Sequence, residues 1–406
     1  MNFYDFKWIL SLFGTSLGVG FLFLPIKAGA GGIYPFFVMV VFGAFMAFFT
    51  HWAVYKYCSG AKGDIKEVSQ SYFGSKTAYI ITSLYFFAFL SACLSYGIGL
   101  VNSIMLLFEF LKIPISREIV VFVCISALVG VMCIRGDFVL KVFEIFVFPL
   151  CIFIFAFGLY LIKYWDFSAF SYVPSGPEFF KVILFALPLL AFTFQFVAVI
   201  STFKQKLEEK YTTSHEKKAK MILFFTFLML LIFVGFFTFS SLMCIKPDEL
   251  DLIREKNISA LSFFSLKLDN DLLGYCAAFI AILALTISFF GHYFAVREGL
   301  FEILKKSSKI CKISTNDSTL VNFSNFLLYL IILAVVLMNL NILKILEVVV
   351  SPIVVILLFF LPLYGFYKVK ILNKYKNKIV DIFILFVGII TFCMGLFEVL
   401  KDLFFG

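Results

Sequence analysis

The sequence predicts an all-α integral membrane protein with eleven transmembrane helices. Three observations carry this reading. Of 406 residues, 62% are hydrophobic and only 15% charged, with a mean hydropathy of +1.04. Apolar runs of bilayer-crossing length recur along the whole chain. Basic residues gather in alternate connections between those runs. A water-soluble domain cannot hide so much apolar surface, whereas lipid solvates it.

The apolar segments fall at 8–26, 33–57, 77–108, 118–134, 142–163, 180–202, 221–245, 273–302, 321–341, 345–367 and 379–401. The first is too long for the apolar core of a signal peptide and is read as a span. With the N-terminus in the cytoplasm, 23 of the 34 Lys and Arg fall on the inner side. The two densest clusters, Lys204 to Lys220 and Lys368 to Lys378, are both among them. The positive-inside rule therefore predicts a cytoplasmic N-terminus and an external C-terminus, in the inner membrane of a bacterium. The net charge of +9 reads as topology, and no nucleic-acid partner is expected. The nine cysteines include no Cys-x-x-Cys pair, so neither a metal site nor a disulfide framework is expected. The 59 Phe read as lipid-facing filler.

Within the first segment, Gly14, Gly18 and Gly20 surround Thr15, Ser16 and Leu17, and Pro25 follows. Glycine weakens a helix and proline removes a backbone donor. Broken helix in a membrane is tolerated where its freed backbone groups face protein or a polar cavity. The sixth segment has Pro188 followed by the polar Thr193 and Gln195 at mid-span. Two such helices, five segments apart, fit a division of one 1–406 transmembrane domain into five plus five plus one. The repeats would cover 8–163 and 180–367, with an extra helix at 379–401. Inverted five-helix units with a broken first helix are a recurrent transporter design.

Gly14-Thr-Ser-Leu-Gly-Val-Gly-Phe-Leu-Phe-Leu-Pro-Ile-Lys-Ala-Gly-Ala-Gly-Gly32 resembles the first-helix signature of the hydroxy and aromatic amino acid permeases, and more narrowly of their serine/threonine branch. Ser288-Phe-Phe-Gly-His-Tyr-Phe-Ala-Val-Arg-Glu-Gly299 is similar to that branch's eighth-helix motif, and Ser351 to Tyr364 to its tenth helix. The resemblance implies the leucine-transporter-type inverted repeat and import of an amino acid with a coupling cation, with no other cofactor. One departure is plain. Where the branch carries an Asn-His-Ser-Pro element, this chain has Gln195-Phe196-Val197-Ala198.

Carried over by position, the backbone from Thr15 to Gly20, including Ser16, Gly18 and Gly20, would meet the amino acid carboxylate. The positive end of the following half-helix would assist. Tyr96 would act as a lid or carboxylate partner, while Thr193 and Gln195 would meet the ammonium or side chain. Gly14 and Leu17 carbonyls with Thr286 and Ser288 hydroxyls would hold sodium. If a proton is the coupling ion, His292 and Glu298 are the titrating candidates, with Glu144 and Lys141 behind them. Serine or threonine is the expected substrate, with an aromatic or other neutral amino acid and sodium coupling as the alternative. A membrane enzyme would need clustered acids or paired histidines, whereas His51, His215 and His292 lie in separate segments. Oligomeric state has no signature in the sequence.

Overall fold

The computed structural model describes residues 1–267, 271–310 and 316–405, with side chains except at 134–148, 271–273, 309–310, 398–399 and 401–405. The described residues are helical with short connections. Helix α1 (Phe3–Ser16) and α2 (Val19–Ala28) form one broken span, bent by 61°. They are followed by α3 (Ile33–Cys58), the short α4 (Ile65–Phe73), α5 (Ser75–Phe110) and α6 (Arg117–Tyr160). A second interrupted helix comprises α7 (Gly176–Thr193) and α8 (Val197–Tyr211). Then come α9 (His215–Leu242), the short α10 (Pro247–Lys256) and α11 (Ala260–Lys267), α12 (Asp271–Ile310) and α13 (Asp317–Met338). The chain finishes with α14 (Ile342–Lys368) and α15 (Lys378–Phe405).

Among the described residues, eight helices are long and apolar enough to cross a membrane, and nine with the α1–α2 pair. One expectation changes. The segments placed at 118–134 and 142–163 lie on one continuous stretch of helical backbone, so the polar sequence from Arg135 to Lys141 is not a loop. Lys141 and Glu144 have side chains outside the described residues. The connection after α9 folds into α10 and α11. Pro247 opens α10 at a position whose N–H is unbonded in any helix, and Asn257 closes it in the left-handed region at φ 52°.

Helix α5 is the hub. Its apolar window is 78% buried, against 28% for α13 and 33% for α15, which stand at the periphery. It packs most extensively along α12, while α2 and α3 pack on α7, and α1 on α9. Helix α14 contains two π-helical turns, Ile345–Val350 and Ile356–Phe360, a deviation frequent at functional sites.

Candidate functional site

The first break occupies Leu17 and Gly18. Leu17 is extended, at φ −75° and ψ 98°, and its N–H turns back to the Gly14 carbonyl at 3.2 Å. Gly18 is required here for space, since its φ of −147° is open to any residue. A Cβ on Gly18 would sit 2.5 Å from the Tyr96 hydroxyl, which also interacts with the Val19 N–H at the start of α2. A phenol from α5 thus sits at the positive end of the second half-helix. Gly20 is equally confined, because a Cβ there would lie 2.8 Å from both Phe192 and the Thr193 hydroxyl.

The second break occupies Phe194 to Phe196, six residues beyond Pro188, which lies inside an unbroken part of α7. Its cause is a side chain from another helix. The Nδ1–H of His51 donates to the Ala47 carbonyl at 2.8 Å, which leaves Nε2 as an acceptor. That Nε2 receives the Phe196 N–H at 3.0 Å, and the imidazole lies 4.1 Å from the Phe196 ring. Gln195 Oε1 accepts the Val197 N–H at 3.1 Å. Two amides freed by the interruption are therefore bonded by side chains, as a buried backbone requires.

The two breaks touch. Ser16 Oγ lies 3.4 Å from the Gln195 carbonyl and from the Leu12 carbonyl of its own helix. A crevice beside them is lined by Phe192, Gln195, Val197, His292 and, from α14, Val350 and Val354. It encloses only ≈ 10 Å³, about one water. His292 donates its Nδ1–H to the Ser288 carbonyl at 2.9 Å and packs 4.8 Å from the Tyr96 ring.

The structure brings Ser16, Gly18, Gly20, Tyr96, Thr193, Gln195 and His292 around this crossing point. It also joins the Ser288 hydroxyl to the Leu17 carbonyl at 3.1 Å. Thr286, two positions earlier on α12, is turned by about 200° from Ser288 around the helix. Thr15 is spent on the Ser11 carbonyl at 2.8 Å, and Thr193 on the Leu189 carbonyl at 2.8 Å. Glu298 is exposed and belongs to a separate charged group around Lys66, which pairs with Glu302 at 2.9 Å. Asn102, six residues beyond Tyr96 on α5, is bonded to the Asn257 carbonyl and to Arg117, away from this point.

Comparison with known proteins gives the family and the fold. The chain is 30% identical over 398 residues to the serine transporter SdaC of Escherichia coli K12, covering 95% of this chain and 93% of the relative. The chain belongs to the serine/threonine branch of the hydroxy and aromatic amino acid permeases. It is 31% identical over 420 residues to the threonine/serine transporter TdcC of Escherichia fergusonii, covering 95% and 94%. No family model matches. Among solved structures, a manganese transporter of Eremococcus coleocola superposes with a TM-score of 0.66 over 98% of this chain and 87% of its own, at 14% identity. That likeness concerns the fold alone. This permease is a multi-pass membrane transporter and not an enzyme.

Two features of the permease lay outside the residues singled out from sequence. One is His51. The other is the partly buried ion pair of Lys27 on α2 with Glu347 in the first π turn of α14, at 2.8 Å. Its signal was available as two opposite charges at the edges of apolar runs, with Lys344 three positions before Glu347.

Proposed function

We propose that the protein imports serine or threonine by proton symport. The observation that carries the proposal is the meeting of the two breaks at Ser16 and Gln195, with Gln195 and His292 lining the crevice beside them. The amino acid carboxylate binds the free N–H groups at Gly18 to Gly20, where the helix dipole favours an anion. To reach them it displaces the Tyr96 hydroxyl or bonds to it. Gln195 and His292 receive the ammonium and side-chain hydroxyl. The small walls of the crevice, Ala88, Ala92 and Val350, favour a short side chain over an aromatic one. Thr15 and Thr193 then serve the backbone near the site.

Of the two proton candidates, His292 is favoured, because it lines the crevice while Glu298 lies exposed beside Lys66. Sodium is the second reading, supported by the Ser288 hydroxyl on the Leu17 carbonyl, with the Gly14 carbonyl and Thr286 as further oxygens. The same reading takes eleven spans in two inverted five-helix repeats, 8–163 and 180–367, with 379–401 added, and so requires the chain to reverse direction within the long α6 stretch. The N-terminus is cytoplasmic, in a bacterial inner membrane.

Uptake of labelled serine, threonine and tryptophan into vesicles tests this directly, with the proton and sodium gradients collapsed one at a time. Serine accumulation should vanish with the proton gradient and persist without sodium. His292→Ala should retain serine exchange and lose accumulation, whereas Glu298→Gln should keep both. Accumulation driven by sodium alone would overturn proton symport and move attention to Ser288.

A further inference from the structure

A cavity of ≈ 320 Å³ lies far from the crevice, where the end of α3 meets α9 and the start of α15. Its mouth carries Lys56 and Lys220, and its walls include Trp52, Phe366 and Val380. Lys56 Nζ lies 5.0 Å from the Trp52 ring centroid and 5.6 Å from that of Tyr375. Among the described residues neither lysine has a carboxylate within ion-pair distance. Two acids lie near, Asp381 in the same lining and Glu216 beside Lys56, and each accepts hydrogen bonds from neutral groups. Asp381 accepts from the Asn377 N–H at 3.1 Å and the Tyr367 hydroxyl at 3.2 Å, and Glu216 accepts from the Tyr375 hydroxyl at 2.7 Å. The lining thus carries two ammonium groups against one carboxylate, which leaves an excess of positive charge at the opening.

The same stripe of α3 continues into an entirely apolar groove of ≈ 550 Å³, lined by Val41, Phe42, Phe45, Phe49 and Phe383. The two hollows share Phe49, and Phe383 packs on Phe42 and Phe49 at 6.1 and 5.6 Å. Phe45, 57% exposed, opens the groove towards the lipid side. Half of a ~30 Å hydrocarbon core corresponds to about ten residues of helix, which reaches from Lys56 to the level of Met46 and Phe45. A headgroup at the lysines thus places an acyl chain along the groove.

We propose that this surface binds one anionic phospholipid, its phosphate between Lys56 and Lys220 and an acyl chain against the α3–α15 phenylalanines. A soluble phosphate would use the lysines and leave the groove unexplained. The site is independent of the substrate and coupling ion assigned above.

Trp52 supplies the probe, since the only other tryptophans are Trp8 and Trp165. The W8F/W165F protein is reconstituted in phosphatidylcholine vesicles containing brominated phosphatidylglycerol or, at equal mole fraction, brominated phosphatidylcholine. Phosphatidylglycerol should quench Trp52 with a relative association constant higher by about fivefold per lysine, and K56Q/K220Q should remove the preference. Equal quenching by both lipids would overturn the proposal, as would a preference that survives K56Q/K220Q. Loss of the preference on adding millimolar inorganic phosphate would reassign the lysines to a soluble anion. Should W8F/W165F fail to insert, native mass spectrometry of the wild-type protein and K56Q/K220Q compares retained phosphatidylglycerol with phosphatidylcholine.

Discussion

At the scale of single residues, the site is built from close approaches that leave no room for a side chain. Gly18 is the clearest, because an added Cβ meets the Tyr96 hydroxyl at 2.5 Å and two ring carbons at 3.2 Å. Overpacking of this degree costs about 1–3 kcal/mol, which is roughly ten- to a hundredfold in an equilibrium. Gly18→Ala should lower serine uptake by that order while leaving the protein inserted, and Gly18→Leu should abolish uptake. Tyr96→Phe removes the closest atom, so G18A/Y96F should recover part of the loss. If Gly18→Leu transports normally, the carboxylate does not approach this backbone. The glycines were legible in the sequence because glycine pairs inside an apolar run are informative by themselves. Tyr96 was singled out only through the family resemblance, and its close approach to Gly18 is set by the course of α5 past the break.

At the scale of elements, the two interruptions differ in origin. The first follows from its own residues, as Gly18 admits a close neighbour that any side chain would exclude. The second was only half legible. Pro188 drew attention to the right helix, yet the helix continues past it and opens at Phe194 to Phe196, where the imidazole of His51 takes the Phe196 N–H. That contact joins residues 145 positions apart, and nothing local to Gln195 encodes it. Removing the acceptor strands a buried amide, at about 1–3 kcal/mol. His51→Leu should therefore reduce uptake severalfold or more and lower the melting temperature. His51→Gln, whose amide oxygen can accept the same hydrogen, should recover much of both. Equal loss in the two variants would assign His51 to packing against Phe196 and not to capping.

At the scale of the molecule, the chain's apolar segmentation was legible because lipid imposes long uniform runs. The merging of the fourth and fifth segments into one helical stretch was not, since the charges between Arg135 and Lys141 resemble a loop. The pairing of Lys27 with Glu347, 320 positions apart, ties the first broken helix to α14. Breaking a buried pair costs about 3–5 kcal/mol, whereas replacing both partners by apolar residues is near neutral. Lys27→Met should thus melt several degrees lower in detergent, and K27M/E347L should return close to wild type. Orientation is the remaining large-scale question, and charge decides it. Lys204 to Lys220 hold six lysines on α8, α9 and the turn between them, and Lys368 to Lys378 hold five between α14 and α15. A reporter inserted within the first cluster should lie in the cytoplasm, and one fused after Gly406 should lie outside. An odd number of crossings separates those positions in the eleven-span arrangement, so reporters on the same side would remove the inverted five-plus-five repeat along with the orientation.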